Sequence, residues 1–224
     1  MIKKLLSAYK YFKKRDYNYI INAIAWQFPA WFMRYCHSYL LTTKAPKLIS
    51  RDFKIYFKKF IDLNDLDILN DFGMPEGLVK SRISSGDKGI IIGYGNEIRS
   101  IIWGASDKKY LKVVGAVLDP GQDGFIAYGG YTKEKYRIQG LFPSIFNDMY
   151  QYYSGRGRNK VYAAIDSINH NSMNLHLKMN FEIVGEIHCF VLMGISICYY
   201  KKWPFETNKI HIFFKKPPGN LDWV

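Results

Sequence analysis

Phe125-Ile-Ala-Tyr-Gly-Gly-Tyr-Thr132, Tyr136-Arg-Ile-Gln-Gly140-Leu-Phe142 and Val161-Tyr-Ala-Ala-Ile165 lie in order along one stretch of the chain. Between the second and third, Phe142, Ile145, Phe146, Met149, Tyr150 and Tyr153 repeat at helical spacing, so the pattern switches from strand to helix and back. Pro143 suits a first helical turn, and Ser154-Gly155-Arg156-Gly157 is a stop signal. Two strands joined through a helix form a parallel βαβ unit, because a parallel pair needs a crossover connection.

Upstream, Gly89-Ile-Ile-Ile-Gly-Tyr94 and Glu97-Ile-Arg-Ser-Ile-Ile-Trp103 flank Gly95-Asn96, which suits a two-residue hairpin. Leu111 to Leu118 reads as the next strand, and the turn signal Asp119-Pro-Gly-Gln-Asp-Gly124 separates it from Phe125 to Thr132. Four consecutive strands predict a meander. A short helix pair or loop is expected between Ile61 and Arg82. Downstream, a helix over Asn171 to Met179 leads to strands over Phe181 to Ile187 and Phe190 to Tyr200. The tail past Trp203, with Pro204, Pro217 and Pro218, reads as partly irregular, and no internal repeat is present.

The 224 residues are 48% hydrophobic and 17% aromatic, which excludes an intrinsically disordered chain. The net charge of +13 is concentrated: residues 1 to 60 hold 13 Lys/Arg against Asp16 and Asp52, and the remainder is nearly neutral. Ile2, Leu5, Leu6, Tyr9 and Phe12 share one helical stripe, with Lys3, Lys4, Lys10, Lys14 and Arg15 opposite, so the extension predicts a basic amphipathic helix. Three readings stay open for it. It packs on the body with a solvated lysine face. Alternatively residues 1–35, with Trp26, Phe28, Trp31 and Phe32, lie on an anionic membrane surface. Binding to nucleic acid ranks last, because no nucleic-acid-binding motif accompanies the lysines. The early uncharged stretch from Ile20 to Met33, with Asn22, Gln27 and Pro29 in it, is too short and too polar to span a bilayer. Lysines interrupt any signal-peptide core, so the chain reads as cytoplasmic, with the inner face of the membrane as the alternative site. Cys36, Cys189 and Cys198 form no C-x-x-C pair and are expected as buried free thiols, with no metal site.

The chemistry sits at the two ends of the βαβ unit. Gly140 at a helix start, with backbone amides beside it and Lys133, Lys135 and Arg137 nearby, makes an anion site. Asn169-His-Asn-Ser172-Met-Asn-Leu-His176-Leu-Lys178-Met-Asn180-Phe181 follows the second strand. Together these segments resemble the GNAT superfamily of acyl-CoA-dependent N-acyltransferases, over roughly residues 61 to 200. Arg137-Ile-Gln-Gly140-Leu-Phe142 matches the family's pyrophosphate loop through its first glycine and departs from it at Phe142, where a small residue is usual. Asn169, Ser172, Lys178 and Phe181 hold their family positions; His176 stands where a Tyr is frequent, and Asn180 replaces a glycine. Asn is the mildest such replacement where a left-handed conformation is needed.

The resemblance implies an α/β (α+β) fold: a mixed, mostly antiparallel twisted sheet with flanking helices and a central βαβ unit, preceded by a helical extension. It divides the chain into an extension over 1–60, an acyltransferase domain over 61–203 and a tail over 204–224. It implies acetyl-CoA or another acyl-CoA, bound by Tyr131, Thr132, Arg137, Gln139, Gly140, Leu141, Phe142, Asn169 and Ser172, and transfer to a small-molecule amine. An amino sugar on a nucleotide or lipid carrier is one candidate acceptor. His176, with Asn169, is the candidate for catalysis, as the acid that protonates the departing thiolate; a helix histidine that merely packs is the alternative. Phe125 to Thr132 lacks the carboxylate frequent in the family; Asp119, Asp123 and Tyr128 are candidate substitutes, water-relayed deprotonation or a hydroxyl acceptor with His176 as base are the alternatives, and Glu97 and Arg99 are candidate residues of an acceptor cleft. A catalytically inactive module of the same fold, using its basic arm on membrane or nucleic acid, is the competing function.

Overall fold

The computed structural model describes residues 33–47, 56–111, 116–137, 139–193, 195–202 and 210–213. The expected amphipathic helix over residues 2–15 lies outside them, as do the aromatics from Trp26 to Phe32. The chain divides into two units. A central unit comprises Thr43–Lys109 and Asp119–Ala163; the other comprises the residues up to Thr42, Tyr110–Leu118 and Ala164–Asp222.

In the central unit, strands β2 (Phe57–Phe60), β3 (Lys88–Tyr94), β4 (Glu97–Ala105) and β7 (Gly124–Thr132) pair antiparallel in that order, and the start of β8 (Lys160–Asp166), up to Ala163, belongs to this unit and runs parallel to β7. The hairpin turns at Gly95-Asn96, with Gly95 left-handed at φ 57° as the sequence predicts. Ile90, Ile91 and Ile92 are all buried, because both faces of the sheet are covered. One face packs on helices α1 (Leu66–Asp71) and α2 (Glu76–Ser84) through Leu69, Met74, Val79, Ile91, Ile101 and Trp103. The other receives helix α3 (Leu141–Ser154), whose Ile145, Phe146, Met149 and Tyr153 are buried, with Tyr153 stacked on Phe125 at 4.4 Å between ring centroids. Strand β7, helix α3 and the start of β8 are thus the expected βαβ unit, in parallel register from Gly124↔Lys160 to Ile126↔Tyr162.

In the second unit, β1 (Met33–Thr43), β9 (Glu182–Leu192), β10 (Ile195–Lys201) and β11 (Ile210–Phe213) form an antiparallel series, with helix α4 (His170–Lys178) leading into β9.

Four expectations are corrected. Residues 33–43 and 57–60, within the segment expected to be helical, are strands. Leu111 to Leu118 is not one strand of a meander: β5 (Lys109–Leu111) and β6 (Ala116–Leu118) pair with each other as a separate two-stranded sheet, and β4 pairs directly with β7. The break between the last long strands falls after Leu192, which stands opposite Ile195, because His188 and Cys189 carry no turn chemistry and β9 continues through them. That hairpin register sets Cys189 opposite Cys198, and the two are bonded as a disulfide, so the three cysteines are not all thiols. No helix among the described residues is long and apolar enough to cross a membrane.

Candidate functional site

Strand β7 changes character halfway along. Its ladder with β4 runs Ala105↔Ile126, Gly104↔Ala127 and Trp103↔Tyr128, then resumes at Ile101↔Tyr131, so Gly129 and Gly130 together face Ile102 alone. This is a β-bulge, and Gly129 takes the left-handed conformation, φ 57°, that bulges of this type demand. A bulge leaves one residue's amide outside the ladder. On the opposite edge, the pairing with β8 stops at Ile126, so from Ala127 to Thr132 β7 has a ladder partner on its β4 side only among the described residues.

Beyond the bulge the chain makes a 3-10 turn at Glu134–Tyr136 and enters α3 through Gly140, left-handed at φ 80°. No side chain caps this helix start. The amides of Leu141 and Phe142 open the helix, while Pro143 contributes none. Phe142, the departure from the family pattern, is accommodated by β7: its ring lies against Gly130, where a Cβ would come within 2.4 Å of it. The missing small residue in the loop is matched by a missing side chain on the strand.

Thr132 Oγ1 hydrogen-bonds Ser100 Oγ at 2.7 Å, Ser100 Oγ donates to the Tyr131 carbonyl at 3.0 Å, and the Arg137 Nε–H donates to the Thr132 carbonyl at 3.3 Å. Tyr131 also meets Phe72 edge to face. The positive charge near the loop is partly neutralised: Lys133 and Lys135 both reach Glu97, at 3.2 and 3.0 Å. The hydrogen bond from Tyr136, then those from the lysines, hold the Glu97 carboxyl down at about 2. A depressed carboxyl contributes its tie above the usual carboxylate range and loses it as pH falls towards about 2. Carboxyl NMR is therefore expected to give a Glu97 midpoint well below that of exposed glutamates, and Tyr136→Phe to raise it; a midpoint unchanged in Tyr136→Phe would contradict this. Arg99 is stacked among Tyr56, Tyr94 and Tyr136 and donates to the Tyr56 hydroxyl at 3.0 Å.

The second expected segment lies in the other unit. Asn169 caps α4, its side chain accepting from the Ser172 amide at 3.1 Å. Asn180 is left-handed at φ 64°, the conformation expected for a residue standing at a glycine position. His176 is buried, packs edge to face on Phe181 and has Nδ1 2.8 Å from the Ser172 carbonyl. A carbonyl only accepts, so Nδ1 carries the proton, and burial lowers the imidazole's pKa, favouring the neutral form.

Among the candidate bases, Asp119 caps its own turn, accepting from the Gly121 amide and pairing with Lys108 at 2.9 Å, which lowers its pKa. The Asp123 carbonyl accepts from the Lys160 amide, tying the turn to β8. The Tyr128 hydroxyl donates to Asp87, and burial pushes its pKa far up. Sequence reasoning missed the cluster this belongs to: Asp87 also binds Lys109, and the Arg82 guanidinium lies over Trp103 and Tyr128 at 5.1 and 5.0 Å. Asp87 follows Ser85-Gly86 and reads as a turn residue, so no spacing signal marks it.

The chain matches no family model, and no curated protein matches it. Solved structures do resemble it. A chain described as a GNAT-family acetyltransferase, from Novosphingobium aromaticivorans, superposes with a TM-score of 0.52 at 12% identity, covering 69% of this chain and 63% of that one. A Drosophila protein gives 0.51 at 12% identity, covering 79% and 56%. A GCN5-related N-acetyltransferase-like protein from Streptococcus suis gives 0.49 at 17%, covering 70% and 61%. This chain therefore spans less than two thirds of the length of each. At such identities the likeness is one of fold: the chain has the GNAT acetyltransferase fold.

Proposed function

We propose that the protein is an acyl-CoA-dependent N-acyltransferase that uses acetyl-CoA and acts on a small-molecule amine. The observation that carries this reading is the bulge at Gly129-Gly130 on a strand that, among the described residues, loses its ladder with β8 beyond Ile126, together with a helix start at Gly140 that no side chain caps. In this reading the strand from Gly130 to Thr132 lies alongside an extended amide-bearing chain such as pantetheine, whose recognition would be by main-chain pairing. The amides of Leu141 and Phe142, with Arg137 beside them, suit a diphosphate, since helix N-termini favour anions. Acetyl-CoA would supply the acyl group as an activated thioester. The amide freed by the bulge is placed to donate to a carbonyl oxygen, the kind of fixed donor from which acyl transfer gains most.

His176 enters with a defined tautomer. Its Nδ1–H is given to the Ser172 carbonyl, which makes Nε2 the basic nitrogen of the neutral ring, so in this reading it acts on a proton as a base rather than as an acid. The competing reading, an inactive binding module, is favoured by one observation: β7 carries no carboxylate, and Tyr128 is committed to Asp87. An amino sugar on a nucleotide or lipid carrier is the acceptor class we would screen first, given the basic extension.

Thermal unfolding of the full chain with acetyl-CoA, CoA or ATP tests the cofactor, because a ligand bound only by the native state stabilises it by about 2.7 kcal/mol at 100 times its Kd. Shifts with acetyl-CoA and CoA but not ATP are expected. Absence of a shift at saturating acetyl-CoA would remove this reading; a shift without transfer to any amine tried would favour the inactive module.

A further inference from the structure

The second unit holds a cluster that the acyltransferase reading does not use. His37 on β1 is the direct cross-strand partner of His188 on β9, and Glu186, two residues before His188, projects from the same face of the sheet. Glu186 Oε2 lies 3.6 Å from His37 Nε2 and 3.7 Å from His188 Nε2. The three ligating atoms lie within 4.8 Å of one another. We propose that His37 Nε2, His188 Nε2 and Glu186 Oε2 form a binding site for a divalent transition-metal ion, zinc above all, that ties β1 to β9.

Spacing comes first. Four ligands at zinc bond lengths of about 2.0–2.1 Å stand roughly 3.3–3.4 Å apart at the corners of a tetrahedron, and the two nitrogen–oxygen separations are within a few tenths of an ångström of that. Next is the donor set. Two imidazoles and one carboxylate suit zinc and its transition-metal neighbours, whereas magnesium and calcium take oxygen ligands.

The surroundings select the ligating atoms. Tyr35 Oη is 2.9 Å from His188 Nδ1, the outer partner that a ligating histidine usually has on its other nitrogen, which leaves Nε2 for the ion. Lys201 Nζ sits 3.3 Å from Glu186 Oε1, so the carboxylate is held by one oxygen and presents the other to the imidazoles. Tyr39 meets His37 edge to face at 4.7 Å, and Tyr199 lies 6.1 Å from His188, giving the site aromatic walls. The imidazoles lie nearly parallel, 7° apart with centroids at 4.2 Å, so closing on one ion requires them to tilt, a movement within the broad wells of histidine χ2. Three protein ligands leave a fourth position for water or another small ligand. This inference does not rest on the acyltransferase reading.

The test is calorimetric titration of zinc chloride into the full chain, freed of metal and kept without reductant, with magnesium chloride as the control. One equivalent of zinc is expected to bind, and magnesium not. His188→Gln and Glu186→Gln alter partly exposed residues and are expected to weaken zinc at least 10- to 100-fold, the loss that even outer-partner changes produce. Cys36→Ser is expected to leave the affinity unchanged. Cobalt(II) on the wild-type chain should give the visible absorption of a tetrahedral nitrogen and oxygen site. Failure of zinc to bind would overturn the proposal. So would equal affinity in wild type and both ligand variants, or loss of binding in Cys36→Ser with retention in His188→Gln.

Discussion

Gly129→Val is expected to lower kcat/KM for acetyl transfer by about 100-fold or more, the effect of removing one preorganised donor from an acyl-transfer site. Two causes act together. A β-branched residue in the left-handed region costs more than the roughly 1–2 kcal/mol of an ordinary side chain, so the strand relaxes out of the bulge. Once Gly129 and Gly130 no longer share one partner on β4, the amide freed by the bulge is drawn into the ladder or turned away. The loss should fall chiefly on kcat, because the helix start at Gly140 and Arg137 are untouched and continue to hold the cofactor. A calorimetric Kd for CoA separates the cases: an affinity within a few-fold of wild type with kcat lost supports the role of the bulge. Full activity in Gly129→Val would show that the bulge donates nothing to the reaction.

The βαβ unit was legible because each of its parts carries a local signal: β-rich composition after a dense turn signal in β7, period 3.6 in α3, and glycine at both ends of that helix. The hairpin at Gly95-Asn96 was equally local. Errors arose where pairing over distance decided the outcome. Leu111 to Leu118 has strand composition throughout, yet its two ends pair with each other, and composition cannot tell a strand from two short ones that fold back. The disulfide depends on the hairpin register, since pairing Leu192 with Ile195, rather than breaking the strands at His188-Cys189, brings Cys189 opposite Cys198.

The candidate site divided in the same way. Gly140, Asn169 and Asn180 were readable because each meets a backbone demand that few residues can satisfy. Phe142 read only as a departure from the family pattern, because its compensation by Gly130 lies on another element. His37, Glu186 and His188 gave no motif at all. They are 149 and 151 residues apart in sequence, counting from His37, and only strand pairing brings them together.

Asp87→Ala is the stability counterpart of the Gly129 experiment, with an expected loss of about 3 kcal/mol in urea unfolding. The carboxylate is 5% exposed and binds both the Tyr128 hydroxyl and Lys109, while the Arg82 guanidinium, 7% exposed, stands over the Tyr128 ring. Breaking a buried ion pair from one side costs about 3–5 kcal/mol, because the remaining charge keeps its desolvation penalty. Lys109, at 22% exposure, can turn into water, which places the loss at the lower end of that range. Tyr128→Phe removes one hydrogen bond to a charged group and is expected to cost about 1.5–3 kcal/mol in wild type. In the Asp87→Ala background it should cost almost nothing, and that coupling is what a double-mutant cycle measures. Tyr128 is the last β7 residue in register before the bulge, so the cluster anchors the strand where its geometry begins to differ. Tyr128→Phe should therefore lower kcat more than it changes the Kd for CoA. Additive losses in the cycle would mean that Asp87 and Tyr128 act separately and that the bulge is held by its glycines alone.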